Sequence, residues 1–274
     1  MKGHTRDLGP KYQQVGIGRG VLTAYIVGGI SVLTPPRLDL DKIHSLDLGK
    51  IRSIDTCTVS NAIERLNVRL RNEGFISGGI RCRFPNFEPM LGYAITGRIR
   101  SSSPPMSGRC YYDRMDFWSY VATIPAPRVI VVQDVDPMPG VGAFVGEIHA
   151  NIAQALNCVG YVTNGAVRDL AAVKALGFHL FSGSVSVSHA YAHLIEFGEP
   201  VEIGGLKIAP GDLLHGDRHG IQTIPLTIAS EIPQVAQRIL RSESELIQFC
   251  KSPQFSLKGL SDRLKQASKD DPCA

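Results

Sequence analysis

Gly140-Val141-Gly142-Ala143-Phe144-Val145-Gly146-Glu147 and the Arg168-Asp169 pair beyond it are the stretch from which the rest of the chain is read. The apolar run Arg128–Val132 ahead of it reads as a buried strand, and Gln133–Pro139 as the loop leaving that strand. The three glycines leave the backbone free to approach a ligand. From Glu147 to Asn157 the pattern is helical, with Ile148, Ile152, Ala155 and Leu156 expected on the apolar face. Gly160–Thr163 reads as a short strand entering the turn Asn164-Gly165-Ala166-Val167-Arg168-Asp169. One helix N-terminus and one strand-end turn then face a shared cleft, where open α/β sheets hold their ligands. Two carboxylates, one guanidinium and a row of free amides in that cleft suit a metal ion and a small oxo-acid.

Outward from this centre the pattern alternates. Asp55–Leu66 is an amphipathic helix with Val59, Ile63 and Leu66 inward and Asp55 or Thr56 as N-cap. Ile80–Arg83 and Ala94–Ile99 read as strands, Ser101–Ser107 as a loop, and Asp113–Ala122 as a helix carrying Trp118. After Asp169 come a helix, Leu170–Leu176, and a strand, Phe178–Phe181. Gly204-Gly205 marks a hairpin between Val201–Ile203 and Leu206–Ile208. Leu213–Gly220 and Ile221–Ile224 complete the sheet, and Ser230–Cys250 and Leu257–Ala267 are helical. Helices alternating with short apolar strands predict an α/β domain. The expected organisation is an N-terminal extension (1–45), a central domain (46–229) and a C-terminal helical tail (230–274).

Among 274 residues, 43% are hydrophobic and 20% charged, ordinary values for a globular chain with a sizeable core. The net charge of +4 is mild and no basic stripe interleaves with aromatics, so nucleic acid is not an expected partner. Val15–Leu33 is broken by Arg19 and glycines, which suits neither a secretory signal nor a membrane span. Six scattered cysteines without CxxC spacing suit free thiols in a reducing, cytoplasmic setting.

The chemistry centres on Glu147, Arg168 and Asp169. An aspartate with open water positions suits Mg²⁺, and Glu147 is placed to hold one of those waters. The planar fork of Arg168 suits a substrate carboxylate or keto oxygen, while the plainer alternative pairs it with Glu147 or Asp169. The first amides of the Glu147 helix can bind a carboxylate without any side chain. A dinucleotide fingerprint on Gly140, Gly142 and Gly146 is disfavoured, because Asp134–Pro139 separates the glycines from their strand. Gly16-Ile17-Gly18-Arg19-Gly20 lacks the lysine of a phosphate loop. His189/His193 and His215/His219 stand four apart, yet without a zinc signature they read as structural or substrate-contacting. Lys174 and Lys207 are expected to be exposed, against Schiff-base chemistry, and Cys158 lacks a partner for nucleophilic work.

Glu147 followed after twenty residues by Arg168-Asp169 resembles the acid-X20-Arg-Asp signature of the 4-hydroxy-4-methyl-2-oxoglutarate aldolase family. That family also includes oxaloacetate decarboxylases and the regulator of ribonuclease activity A. Asn164–Asp169, the Gly211-Asp212…Gly216-Asp217…Gly220 block and the Thr58–Leu66 helix are similar too, so the resemblance runs from about Leu46 to Pro225. It implies a swivelling β/β/α-type domain, a homotrimer or dimer of trimers, and sites between subunits. It also implies Mg²⁺ or Mn²⁺ on Asp169, water held by Glu147, and a 2-keto acid contacted by Arg168, Gly146 and the amides of Ile148 and His149. Two departures are Glu147 where the aldolases carry Asp, and Ala172 where many relatives carry an acid. Retention of both Glu147 and Asp169 favours a pyruvate-forming lyase over the alternative, a non-catalytic ring that binds a ribonuclease.

Overall fold

The computed structural model describes residues 24–27, 30–33, 46–105 and 114–270, and the chain divides into two compact units, Met1–Asp39 and Leu40–Ala274. In the first, β1 (Ala24–Val27) pairs antiparallel with β2 (Ile30–Leu33). The Gly16–Gly20 run, Cys110 and Cys273 lie outside the described residues.

The second unit has an α/β fold. It opens with a short helix not anticipated from sequence, α1 (Leu48–Arg52), and continues into α2 (Thr56–Leu66). Asp55 caps α2 as expected, its carboxylate accepting from the Thr58 amide at 3.0 Å. Then follow β3 (Arg81–Cys82), β4 (Met90–Arg100), α3 (Met115–Thr123), β5 (Arg128–Asp134), β6 (Ala143–Val145), α4 (Glu147–Ala155) and β7 (Cys158–Val167). The chain closes with α5 (Leu170–Ala175), β8 (His179–Val185), β9 (His193–Phe197), β10 (Val201–Ile203), β11 (Leu206–Ile208), β12 (Leu213–Asp217), β13 (Gly220–Ile224), α6 (Ile232–Lys251) and α7 (Leu257–Asp270).

The main sheet runs β13-β12-β4-β5-β7-β8-β3, with β6 beside β7 and β9 beside β4. Its centre, β4-β5-β7-β8, is parallel, and its flanks are antiparallel. Central parallel strands are covered on both faces, which is why β5 reads as the unbroken run Val129–Val132, all fully buried. One face packs Met90, Val129, Val131, Val162 and Phe181 against Val201, Ile203, Leu206 and Ile208 of the β10–β11 hairpin. That hairpin turns at Gly204 (φ 53°) and Gly205 (φ 80°), the double positive φ of a tight I′-type turn.

Three readings need correction. β7 runs through Asn164 and Gly165 to Val167 rather than ending at Thr163, because its last residues find partners in β6 and β8. β6 and β9 were not read as strands: β6 is only three residues long, and β9 alternates weakly. The buried face of α4 is His149, Ala150 and Ala153, whereas Ile148 and Ala155 are exposed. Small alanines let the helix lie close on the sheet, a choice made by packing rather than by apolar periodicity.

A polar cluster ties α2 to the sheet edge. The buried Asp217 carboxylate accepts from the amides of Thr56 (2.9 Å) and His219 (2.8 Å). Thr56 Oγ1 lies 3.0 Å from His215 Nδ1, and Gln222 Nε2 donates to the Thr56 carbonyl at 2.7 Å. His215 and His219 thus belong to this edge cluster, where each makes a polar contact through Nδ1. Asp217→Ala strands the buried Thr56 amide and is expected to cost about 2–3 kcal/mol, read as a lower urea midpoint at unchanged slope.

Candidate active site

The acid and the Arg-Asp pair meet because β6 and the end of β7 run parallel, Ala143 beside Ala166 and Val145 beside Val167. The Arg168 amide donates to the Val145 carbonyl at 3.1 Å, closing the junction. Gly146-Glu147 and Arg168-Asp169 thus leave two neighbouring strands at one level. The twenty residues between Glu147 and Arg168 are what α4, a turn and β7 need to return the chain to its start.

Asp169 stands at φ 55° in the left-handed region, before α5. Its Oδ2 accepts from the Glu147 amide at 3.1 Å and its Oδ1 from Arg168 Nε at 3.2 Å. The Glu147 amide, then the Arg168 guanidinium, holds this carboxyl below the usual aspartate range against some burial, so it is ionised at neutral pH. Arg168 does make the pairing with Asp169 that was the plainer expectation, but through Nε alone. Its two terminal nitrogens have no partner among the described residues. The Glu147 carboxylate is exposed and likewise has no described partner.

Gly146 is required by space rather than by turn geometry. An ideal Cβ there would sit 2.5 Å from Asp169 Oδ2 and 3.0 Å from Arg168 Cγ. Gly146→Ala is expected to displace the Asp169 carboxylate, and a divalent cation held by that carboxylate would then bind about tenfold or more weakly. Mn²⁺ titration followed by water-proton relaxation checks this, and an unchanged affinity would show that Asp169 does not need that position.

At the start of α4 the Glu147 amide is used by Asp169 and the Ala150 amide by the Gly146 carbonyl at 3.0 Å. The amides of Ile148 and His149 have no acceptor among the described residues, which leaves them for an anion. The His149 side chain does not reach the shelf. It is buried among Trp118, Phe144 and Tyr161 with Nε2 unpartnered among the described residues, and burial pushes its pKa down to about 3.

His189 lies beside the shelf, with Nδ1 2.9 Å from the Ala143 carbonyl. His193 Nδ1 instead faces the Tyr191 carbonyl at 2.7 Å. The two lie on a loop and a strand, not on one helical face. Lys174 and Lys207 are exposed as expected, and burial drives the Cys158 thiol up to about 12, far from a nucleophile.

An acidic support behind the shelf escaped the sequence reading. Asp134 Oδ2 accepts from the Gly140 amide at 2.8 Å, and Asp136 Oδ2 from the amides of Ser101 and Ser102, both at 2.7 Å. Asn164 exchanges two bonds with the Asp134 backbone, at 2.7 and 2.8 Å. Burial raises the Asp134 pKa, while the serine bonds outweigh burial at Asp136 and lower it. The Asp134-x-Asp136 spacing at a strand end, facing the Ser101–Ser103 run, was the available signal.

The shelf is open. The two described cavities, about 240 and 440 Å³, contain neither Glu147 nor Asp169; the first borders α5 through Leu170 and Ala171. Around the shelf stand exposed apolar side chains, among them Met138 (75% exposed), Ile148 (59%) and Val187 (95%). Among the described residues no three His, Cys, Asp or Glu side chains gather for a metal. The donor set is one ionised carboxylate with room for water, which fits Mg²⁺ or Mn²⁺.

A family model described as RraA-like, Aldolase/RraA, matches residues 56–222. The chain belongs to the Aldolase/RraA family. Among curated members, a Halalkalibacterium halodurans protein named "Putative 4-hydroxy-4-methyl-2-oxoglutarate aldolase" is 33% identical over 97 residues, 35% of this chain and 46% of that protein. This Aldolase/RraA chain therefore matches less than half the length of that relative. The fold is shared with an uncharacterized protein from Pseudomonas syringae pv. tomato, at TM-score 0.57 and 24% identity over 81% of this chain and 92% of that one. It is shared too with Streptomyces coelicolor RraAS2, titled an unusual member of the RNase ES inhibitor RraA protein family, at TM-score 0.57 and 20% identity over 76% and 96%. Among the described residues no helix is long and apolar enough to cross a membrane.

Proposed function

We propose that this chain is a divalent-metal-dependent lyase that cleaves a C–C bond of a 2-keto acid to release pyruvate, acting on 4-hydroxy-4-methyl-2-oxoglutarate, oxaloacetate or both. The observation that carries the reading is the β6–β7 register, which sets an ionised Asp169, the open fork of Arg168, the free Glu147 carboxylate and two unused amides around one shelf. Family membership and the 33% identical aldolase-named relative support the class of reaction.

In this reading Asp169 holds Mg²⁺ or Mn²⁺, and the cation supplies Lewis-acid polarisation of the keto oxygen. The amides of Ile148 and His149 bind the substrate carboxylate. Arg168 turns its terminal nitrogens to the keto-acid oxygens, where negative charge grows as the C–C bond breaks. Glu147 holds the water through which a proton moves to or from the substrate. Aldol cleavage and decarboxylation place charge on the same oxygen, so one set of residues serves both.

The exposed Met138, Val141, Ile148, Val187 and Tyr191 support an assembly, trimer or dimer of trimers, in which a neighbouring subunit covers the open shelf. We also propose the organisation 1–45 extension, 46–229 domain and 230–274 tail, and a reducing cytoplasmic setting consistent with the free Cys57, Cys82, Cys158 and Cys250.

The test is pyruvate release from both substrates with Mg²⁺ and with a chelator, with Arg168→Ala beside the wild type. Metal-dependent turnover lost in the variant supports the lyase. No turnover above the metal-only background would overturn it and favour the non-catalytic ribonuclease-binding ring.

A further inference from the structure

A cavity of about 440 Å³ lies where β5, β7 and β8 begin, at the opposite end of the parallel strands from the candidate active site. At the usual rise per residue, the ten residues of β7 separate the two ends by roughly 30 Å. Nothing in the proposed chemistry uses this cavity.

Its lining combines an apolar base, Pro127 and Val159, with Arg52, Asn157, Cys158 and His179. Arg52 is the one formally charged residue in that lining, and no carboxylate accompanies it. Its Nε donates to the Pro89 carbonyl at 3.2 Å, which anchors the side chain at the end of α1. Its terminal nitrogens have no partner among the described residues.

His179 is the second element, and it is 5% exposed. Its ring stacks on Phe181 at 6.4 Å and meets Phe87 edge-on at 5.3 Å, so its orientation is set by packing. Nδ1 is out of solvent and without a partner among the described residues, and burial, reinforced by Arg52, lowers the pKa to about 4. The ring is therefore neutral and carries one proton. A buried N–H without an acceptor is costlier than a buried lone pair, which puts the proton on Nε2 rather than on the buried Nδ1. Arg52, which lies close enough to His179 to lower its pKa, thus lines the same cavity as this imidazole donor and the apolar Pro127 and Val159.

We propose that this cavity is an accessory binding site for the oxyanion of a small metabolite, a carboxylate or phosphate held by Arg52 and the Nε2–H of His179, with its apolar part on Pro127 and Val159. A guanidinium with two free nitrogens binds such groups in a planar, two-point manner. A donor that is neutral at physiological pH takes part without bringing a second buried charge.

Calorimetric titration with pyruvate and with inorganic phosphate, paired with the His179 ring-proton resonance, tests the site. The His179→Phe protein assigns that resonance. The expected result is saturable binding of at least one anion that moves the resonance, weakened about tenfold or more in Arg52→Gln and unchanged in Asp169→Ala. The more tightly bound anion identifies the source of the oxyanion. Three results would overturn the proposal: no shift with either anion, wild-type affinity in Arg52→Gln, or binding that disappears in Asp169→Ala. Arg52 is exposed at a helix end, so Arg52→Gln is expected to fold even where His179→Phe does not.

Discussion

Asp169→Asn is expected to lower metal-dependent pyruvate release by on the order of a thousandfold, with little change in the melting curve. The substitution keeps shape and removes one charge. An asparagine can still accept the Glu147 amide through its carbonyl oxygen, so the local backbone, including the left-handed residue at φ 55°, is retained. What it loses is the anionic donor that a hard divalent cation needs. The pairing with Arg168 weakens too, so the guanidinium is released rather than trapped, and a loss of turnover cannot be assigned to a blocked arginine. Turnover at several Mg²⁺ concentrations with circular dichroism melts decides the matter. Retained activity with retained metal dependence would mean that the cation is held elsewhere and that the shelf is only a structural junction.

Lowering the pH from about 6.5 to about 4.5 is expected to remove roughly 5 kcal/mol of stability, a large part of what a domain of this kind has. The source is two buried histidines. Burial lowers His149 to about 3, and burial with the nearby Arg52 lowers His179 to about 4, from an ordinary 6.5. Above pH 6.5 both are neutral whether folded or unfolded, and they add no pH dependence. Below it the unfolded chain takes up protons that the fold refuses, and each group costs about 1.4 kcal/mol per pH unit until its folded value is reached. His215, also lowered by burial, acts in the same direction. The carboxylates titrate lower. Asp134 and Asp212 are raised by burial, so they bind protons first in the fold and offset the loss toward pH 3.8; Asp169 and Asp217 are lowered, so their contribution disappears below it. Urea unfolding across this range, with His149→Phe and His179→Phe alongside, measures the slope. Each variant should flatten it; a wild-type stability that is level down to pH 4.5 would mean that these rings protonate within the fold.

Local signals were legible because they depend on few residues. The Asp55 cap, the Gly204-Gly205 hairpin turn and the buried strand at Val129 each follow from a cap, a positive φ or an apolar run, and each is where it was expected. The α4 face was misread because periodicity ranks residues by hydrophobicity alone. The sheet accepts Ala150 and Ala153 and leaves Ile148 out, since close approach of helix and strand rewards small side chains. Asp136 went unread because its partners, Ser101 and Ser102, lie more than thirty positions away.

By itself the sequence determined the alternation of helices and strands, the two acids and the arginine at fixed spacing, and the hairpin that closes one face of the core. These are properties of neighbours along the chain. Only the tertiary structure decided that β6 exists and runs parallel to β7, and that this register brings Gly146 against Asp169. It also decided which histidines are buried and which border the shelf. Strand pairing and burial depend on segments that meet only when the sheet assembles, and a three-residue strand has no pattern until its partner is beside it.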